Sequence, residues 1–316
     1  MDVPTFDPGL TQQYTATLRR AIDKNGNFNV RRKGMNWHDI HPYLFMVGAS
    51  WPTFLGFISL AYVSSNIIFA VIYFAIGTEH LRGIDATTPG GRFLQAFFFS
   101  AHTFTTVGYG SISPVGTAAN SVAAFEALVG LLALALATGL LFGRFSRPAA
   151  RIAFSKSALI APYLGGSSLQ FRIANRRTNN LMELEAKILL MTVETVNGRL
   201  QRKYTALTLE RPAVLFLPLT WTVVHPIDDT SPLLGKTAAD LERLQAEFLI
   251  LIKGYDDMAS QTTHTRYSYR HDELVWGARF SPAFSIDESG DLVLEIDRLS
   301  DFKPDQLVLA NTDVNS

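Results

Sequence analysis

Hydrophobic residues are concentrated in two long runs in the first half of the chain. No charged side chain occurs between positions 42 and 78, and the stretch from Phe54 to Gly77 is long enough to cross a hydrocarbon core of about 30 Å as a helix. A second run, from Val115 to Gly143, contains a single charge, Glu126. The alternative, a buried helix of a large soluble protein, rarely has so long an uncharged run. The pattern therefore predicts two membrane-spanning helices.

The segment between these predicted spans has a polar part followed by a short apolar part. Residues 78–92 are polar and rich in Gly and Pro, which is typical of an exposed loop. Residues 93–110 are apolar again, but they are too few to cross a bilayer. Non-helical backbone at membrane depth survives only when it is buried in protein or lines an aqueous cavity. A short helix from Phe93 to Phe104 that breaks at glycine therefore predicts a re-entrant segment that lines a pore.

Basic residues flank the outer ends of both predicted spans. The residues before the first span are Arg19, Arg20, Lys24, Arg31, Arg32 and Lys33, and those after the second are Arg144, Arg147, Arg151 and Lys156. The positive-inside rule then places both termini in the cytoplasm of a multi-pass protein of the inner membrane. The aromatic and polar stretch from Asn36 to Trp51 suits a helix in the interface plane, with a plain linker as the alternative. Residues 1–34 are polar and predict a mobile tail.

The second half of the chain has the pattern of a β-domain. From about Leu169, seven or eight short β-rich runs alternate with turn residues such as Asn-Gly, Asp-Asp and Gly-Lys, which predicts an immunoglobulin-like sandwich. One short helix is expected at 237–245. The predicted domains are an N-terminal cytoplasmic tail at 1–35, a transmembrane pore domain at 36–148 and a cytoplasmic β-sandwich at 149–316.

Composition narrows the function classes. The 316 residues include 28 Lys+Arg and 28 Asp+Glu, so no net charge favours nucleic acid as a partner. The absence of cysteine excludes disulfides, thiolate metal sites and a catalytic Cys. No nucleophile elbow or phosphate loop is present, and His225 with Asp228 and Asp229 fits a turn better than a metal site. The sequence predicts neither an enzyme nor an organic cofactor.

The strongest chemical signal is the pentapeptide Thr106-Val107-Gly108-Tyr109-Gly110. Its sequence is the known selectivity filter of potassium channels, in which backbone carbonyls replace the water around K⁺. Gly108 and Gly110 permit left-handed backbone without a Cβ penalty, and Thr106 adds a hydroxyl oxygen at the inner end. One chain offers one strip of carbonyls, so we expect three identical subunits to join it around an axis.

Several residues of the second span are candidates for gating or for support of the filter. Gly130 and Gly139 are either hinges or points of close helix packing. Phe142 either forms a ring that gates by dewetting or faces lipid. Glu126 is expected behind the filter, with pore lining as the alternative. His102, in the short apolar helix, either couples conduction to pH or is a neutral structural residue.

Three further stretches carry a resemblance to a family. They are GRFSRP at 143–148, LTWTVVHPIDDTSPLLG at 219–235 and SYRHDELVWGARF at 268–280. With the filter, they make residues 36–300 resemble the prokaryotic inward-rectifier potassium channels. The resemblance implies slide, outer, pore and inner helices, and a cytoplasmic immunoglobulin-like sandwich that extends the pore. It places Phe142 at the helix-bundle constriction and a flexible loop at Asp257 to His264, near the apex of the cytoplasmic pore.

Departures from the family pattern affect rectification. Leu134 stands where strongly rectifying animal members have an acidic residue, so no carboxylate ring would hold Mg²⁺ or a polyamine in the cavity. Glu183 matches an acidic position of the cytoplasmic pore and would support a weaker block. Asp257, in the apex loop, is also assigned to the cytoplasmic pore. His102 replaces a pore-helix carboxylate of many members.

The resemblance also suggests a lipid site and a function. Arg144, Arg147, Arg151, Lys156 and Arg177 are candidates for anionic lipid headgroups, although simple positive-inside topology explains them equally well. The predicted function is passive, weakly rectifying K⁺ conduction modulated by anionic lipids. A membrane-anchored sensory or binding module without conduction and a non-selective cation channel are the alternatives. The intact glycine pair and doubled threonine favour the K⁺ channel.

Overall fold

The structure is a computed structural model that forms two compact units. The residues it describes are 9, 13–14, 20–31, 33–34, 36, 41–146, 151–196 and 199–307. The first unit lies within residues 32–147 and is helical. The second combines residues from 1–31 with residues from 148–316 and consists mainly of β-strands.

The elements are numbered in chain order. The helices are α1 (Pro42–Gly48), α2 (Trp51–Ile76), α3 (Pro89–Phe104), α4 (Gly116–Phe145) and α5 (Ala238–Arg243). The strands are β1 (Gln13–Tyr14), β2 (Leu81–Arg82), β3 (Ser113–Pro114), β4 (Ile152–Phe154), β5 (Ala158–Tyr163), β6 (Gly166–Asn175), β7 (Leu181–Val196), β8 (Arg199–Leu207), β9 (Ala213–Phe216), β10 (Thr220–Ile227), β11 (Glu247–Asp256), β12 (Gln261–Arg270), β13 (Leu274–Trp276), β14 (Ala278–Phe280), β15 (Phe284–Ile286), β16 (Leu292–Leu294) and β17 (Phe302–Pro304).

Both predicted spans are confirmed as continuous helices that are long and apolar enough to cross a membrane. Helix α2 starts where the side chain of Ser50 accepts a hydrogen bond from the Thr53 amide, and it ends at Gly77, whose φ of 112° no other residue type adopts readily. Helix α4 has 30 residues. At 1.5 Å per residue it extends about 45 Å, which is more than the thickness of a hydrocarbon core.

Helix α3 packs between α2 and α4 and is longer than predicted. It starts at Pro89 because Thr88 caps the first turn and proline suits that position, whereas the hydrophobic pattern alone predicts a start at Phe93. Phe69 and Tyr73 of α2 and Phe99 and Phe104 of α3 form a buried cluster. Strands β2 and β3 pair with each other, so the two ends of the segment that contains α3 are held together.

Helix α1 is shorter than the stretch from Asn36 to Trp51 for which an interfacial helix was predicted. Helix α1 begins after His41, because Pro42 fits a first helical turn, and it ends at Gly48. Residues 37–40 lie outside the described part of the chain.

The β-unit is a sandwich of two sheets. One sheet has the order β1-β8-β7-β11-β12, with β9 also paired to β7, and the other has the order β10-β6-β5-β13, with β4 also paired to β6. A single core of buried side chains joins the sheets and includes Phe171, Leu184, Trp221, Phe248 and Tyr269. The predicted β-sandwich is therefore confirmed, as is the short helix between β10 and β11.

The expectation of a mobile N-terminal tail is wrong for residues 20–31. The carboxylate of Glu247 accepts hydrogen bonds from the Ala21 amide at 2.9 and 3.0 Å, and Ser268 Oγ donates to the Ile22 carbonyl at 2.9 Å. Ile22 is only 3% exposed. Arg20 adds a 2.9 Å ion pair with Glu273. Long-range contacts of this kind leave no trace in local composition.

The turn predicted at 225–229 begins only at Asp228, because His225 to Ile227 form the end of β10. Both ring nitrogens of His225 are occupied, Nδ1 by the Thr208 carbonyl at 2.6 Å and Nε2 by Ser231 Oγ at 2.8 Å. Asp228 accepts hydrogen bonds from the amide and hydroxyl of Thr230. Among the described residues, no group of three His, Cys, Asp or Glu side chains is placed to hold a metal.

We expect the sandwich to lose stability in mild acid through His225. Burial lowers the pKa of His225, against smaller opposing effects of Thr208 and Asp228. Because the folded pKa lies below the unfolded value of about 6.5, the stabilisation is fully present above that pH and is lost as pH falls below it. Thermal unfolding of full-length protein between neutral and mildly acidic pH measures this. His225→Gln should flatten the dependence, and His264→Gln, at an exposed site, should leave it unchanged.

Candidate functional site

The backbone of the predicted filter alternates through the left-handed region. Thr106, Gly108 and Gly110 have φ values of 59°, 57° and 79°. The two glycines adopt this conformation freely, as predicted. Thr106 is β-branched, so its positive φ is a genuine conformational outlier, and outliers of this kind cluster at functional sites.

The first three amides of this segment donate hydrogen bonds, and its carbonyls accept none from the described residues. The amides of Val107 and Gly108 both donate to the His102 carbonyl, at 3.0 and 3.2 Å, and the Thr106 amide donates to Thr103 at 3.0 Å. Among the described residues, no hydrogen bond reaches the carbonyl oxygens of 106–109. The end of α3 thus holds the amides of residues 106–108 and leaves the oxygens of the segment available for a cation.

His102 contacts the filter through its ring. Its imidazole meets the Tyr109 ring edge-on, with centroids 4.8 Å apart. Tyr109 is otherwise 74% exposed in a single chain. This side chain therefore has a large surface available to a neighbouring subunit.

Glu126 lies behind α3 and is completely buried, together with polar partners from two other helices. Tyr73 of α2 donates its hydroxyl proton to one carboxyl oxygen at 2.6 Å. Ser100 of α3 is hydrogen-bonded to the other oxygen and also lies 3.0 Å from Asn66 Oδ1. Glu126 thus joins α4 to α2 and α3.

The two candidate hinge glycines of α4, Gly130 and Gly139, have different surroundings. A Cβ on Gly130 would overlap the carbonyl oxygen of Phe104 at the end of α3, whereas a Cβ on Gly139 would meet no atom within 4 Å. The geometry at Gly130 is that of close packing. Gly139 has no such contact within its own chain.

Leu134 and Thr106 line the same cavity. This apolar cavity of about 380 Å³ lies between α2, the end of α3 and α4. Phe142, two turns further along α4, is 73% exposed in a single chain. The structure therefore leaves the Phe142 ring free to face lipid, a neighbouring subunit or a conduit.

Comparisons with known proteins agree with this geometry. Residues 152–308 match the family model described as the inward rectifier potassium channel C-terminal domain, and residues 58–147 match the one described as ion channel. The inward rectifier potassium channel Kirbac3.1 of Paramagnetospirillum magnetotacticum is 36% identical over 281 residues, which cover 88% of this chain and 93% of that protein. This chain belongs to the inward-rectifier potassium channel family.

Animal channels are more distant relatives of this chain. The ATP-sensitive inward rectifier potassium channel 12 of Bos taurus is 26% identical over 305 residues, covering 88% of this chain and 70% of that protein. The inward rectifier potassium channel 18 of Homo sapiens is 26% identical, with 69% of that protein covered. The chain is therefore a potassium-selective inward-rectifier channel embedded in a membrane, and its family is one of ion channels, not enzymes.

In this inward rectifier, Arg144 clamps α1 onto the end of α4. Its Nη1 donates to the Met46 carbonyl at 2.6 Å, and its Nη2 donates to the Ala49 carbonyl at 2.9 Å. The guanidinium also lies 4.6 Å from the Trp51 ring centroid and 4.5 Å from that of Phe54. A cation at a helix C-terminus satisfies its free carbonyls and complements the helix dipole.

We expect Arg144→Ala to release the end of α1. Loss of charged hydrogen bonds costs about 1.5–3 kcal/mol, so amides of 42–49 should exchange about 10–100-fold faster with deuterium. Hydrogen exchange of purified channel in detergent or lipid measures this. Arg151→Ala, at an exposed arginine, is the matched control, and equal exchange in both variants would contradict the clamp.

Two of the other basic candidates of the inward rectifier come together. The Arg176 amide donates to the Arg151 carbonyl at 2.9 Å, where β4 pairs with the end of β6, so Arg151 and Arg177 lie at one edge of the sandwich. Arg176 belongs to the same exposed basic edge. It was not predicted as a lipid-binding residue, although it is adjacent to Arg177 in the sequence. Lys156 is exposed in the β4–β5 connection. Arg147 lies outside the described residues.

The acidic candidates share one end of the larger sheet. Glu183 is exposed at an irregularity of β7, with a φ of 50°. The Asp257 carboxylate accepts hydrogen bonds from the amide and side chain of Asn180, just before β7. The flexible loop predicted over Asp257 to His264 is reduced to a turn at 257–260, because β12 already pairs with β11 from Gln261 onwards.

Proposed function

We propose that four copies of the chain surround an axis and bind K⁺ through the oxygens of Thr106, Val107, Gly108 and Tyr109. The carbonyls of these residues accept no hydrogen bond from the described part of the chain, and this supports the proposal most directly. Left-handed backbone at alternate residues supports it further, since it lets successive carbonyls point one way. The Thr106 hydroxyl completes the inner end of the row, and Gly110 ends the filter.

We propose that both termini are cytoplasmic. The tail at 1–35 and the sandwich at 149–316 then lie on the inner face of the plasma membrane, and the pore domain at 36–148 lies within it. The clustering of Lys and Arg outside the two spans supports this orientation. Conduction is passive, through the axis of the four pore domains.

The proposed gate of the channel lies on helix α4, the inner helix. Four Phe142 rings would narrow the conduit, and their exposure in a single chain supports that role. Gly139 is the better hinge, because a Cβ added there would meet no atom of the described residues within 4 Å. For Gly130, the overlap of a Cβ with Phe104 supports close packing.

Weak rectification is the expected behaviour, because the pore offers few carboxylates to a cationic blocker such as Mg²⁺ or a polyamine. Leu134 offers no charge where it lines the cavity below Thr106. Glu183 and Asp257, at one end of the larger sheet, supply the carboxylates that would hold Mg²⁺ or a polyamine in the cytoplasmic part of the pore. A carboxylate that remains partly exposed binds such cations only weakly, because water screens the attraction.

Anionic lipids are the proposed modulators. Arg151 and Arg177, at the basic edge, together with Lys156 and Arg147, offer cationic side chains to headgroups. Arg144 belongs to the same sequence cluster, but its guanidinium is occupied by carbonyls of α1. We therefore assign Arg144 the positioning of α1.

Flux through liposomes containing purified protein tests the proposal. We expect Ba²⁺-sensitive uptake of Rb⁺ or K⁺ with exclusion of Na⁺, from protein that elutes as a tetramer. Tetramers without flux would instead favour a membrane-anchored sensory module, and equal Na⁺ flux would favour a non-selective cation channel. Vesicles with and without anionic lipid test the lipid proposal separately.

A further inference from the structure

Four buried side chains behind the filter form one continuous series of hydrogen bonds. We call Asn66, Ser100, Glu126 and Tyr73 the Glu126 relay. Each of the four is at most 1% exposed, and they come from three different helices. At one end, Asn66 Nδ2 donates to the Tyr62 carbonyl at 2.7 Å.

This end contact fixes the orientation of the Asn66 amide. If the amide were rotated by a half turn, Oδ1 would face the Tyr62 carbonyl oxygen, and two acceptors would stand 2.7 Å apart. Asn66 Oδ1 therefore faces Ser100 Oγ and accepts a hydrogen bond from its hydroxyl group. The hydroxyl of Ser100 has only one proton to give.

Counting protons then assigns the state of Glu126. The relay has three oxygen–oxygen contacts: Asn66 with Ser100, Ser100 with Glu126, and Glu126 with Tyr73. Each contact requires one proton, whereas Ser100 and Tyr73 supply one each. The third proton has to come from the carboxyl group of Glu126. An ionised Glu126 would leave either itself or Asn66 facing a lone pair of Ser100.

The surroundings of Glu126 agree with this count. In the described part of the chain, no Lys, Arg or His lies within ion-pair distance of its carboxyl group. A completely buried carboxylate without a cation carries a large desolvation cost. A neutral carboxylic acid avoids that cost and serves as a donor.

We propose that Glu126 is a neutral acid that donates to Ser100, so that the proton order runs from Glu126 through Ser100 to Asn66. This relay ties α4 and α2 to the last turns of α3, whose carbonyls at Thr103 and His102 hold the filter amides. Glu126 is thus a positioning residue for the filter. The inference rests on the proposed filter, but its statement about protonation does not.

Glu126→Gln is the decisive variant. Its amide nitrogen donates to Ser100 and its oxygen accepts from Tyr73, so the same number of hydrogen bonds is kept. We expect Rb⁺ flux and the K⁺/Na⁺ ratio to stay within about twofold of the wild type, because donor and acceptor stay in place. Glu126→Leu and Ser100→Ala both interrupt the relay, and we expect each to lower the K⁺/Na⁺ ratio by about tenfold or more, because buried partners are left unsatisfied.

Infrared spectroscopy detects the protonation state of Glu126 independently of any flux measurement. The wild-type channel should show the carbonyl stretch of a protonated carboxylic acid, and Glu126→Gln should lack it. Absence of this band in the wild type, or a selectivity loss in Glu126→Gln as large as in Ser100→Ala, would overturn the proposal. A wild type without K⁺ selectivity would contradict the proposed filter instead, and the infrared band would still decide the protonation of Glu126.

Discussion

Gly108→Ala is expected to abolish discrimination between K⁺ and Na⁺ while the protein still folds. Gly108 has a φ of 57°, and an added Cβ would meet no atom within 4 Å, so the effect comes from backbone conformation and not from a clash within the chain. A non-glycine residue in this region costs about 1–2 kcal/mol, or about 4–8 kcal/mol over four subunits. The filter would relieve that strain by turning its carbonyls. Liposome flux with K⁺ and Na⁺ measures the ratio.

Gly165→Ala is the matched control for this change. Gly165 lies in the turn between β5 and β6, has a φ of 81° and likewise has no atom within 4 Å of the added Cβ. It therefore carries a similar backbone cost away from the filter. Unchanged selectivity in Gly108→Ala, or equal loss in Gly165→Ala, would remove the case for the filter assignment.

Gly130→Ala should destabilise the channel and reduce flux. The new methyl group would overlap the Phe104 carbonyl, which is backbone and has no alternative rotamer, so α4 has to move away from α3. Overpacking of this kind costs about 1–3 kcal/mol, against a gain of up to about 1 kcal/mol in helix propensity. Thermal unfolding of the tetramer and liposome flux report the two effects.

The variant Gly139→Ala tests whether Gly139 is a hinge or is needed for helix packing. No atom lies within 4 Å of the added Cβ, so stability should be unchanged or slightly higher. If Gly139 is the hinge, flux falls without loss of stability. Wild-type stability in Gly130→Ala would show that α4 does not pack against α3 as described.

Local pattern was sufficient to predict the three long helices of the pore domain, though not the start of α3 or the β2–β3 pair. The uncharged runs predict α2 and α4, and the short apolar segment before Gly108 predicts α3, because these features depend on the solvent around the chain. The positive φ of Thr106 was not predicted, since a β-branched residue avoids this region unless surrounding contacts impose it.

Partners brought together by packing were beyond the reach of the sequence. Glu126 stands out as a charge in an apolar run, but its contacts, Ser100 and Tyr73, lie 26 and 53 residues away. Neither residue type signals such a role by itself. The clamp formed by Arg144 was missed for the same reason, because its acceptors are carbonyls at the end of α1 and just after it, 95 and 98 residues earlier.

The docking of residues 20–31 on the sandwich changes the mechanics of the subunit. The chain leaves the β-unit, passes through both membrane helices and returns to the β-unit, so two covalent tethers join the units. One runs from residue 31 to α1 and the other from α4 to β4, spanning at most about 40 Å and 25 Å when fully extended. A rotation of either unit is thus transmitted to the other through two connections. If one connection were cleaved, the other would still transmit the rotation.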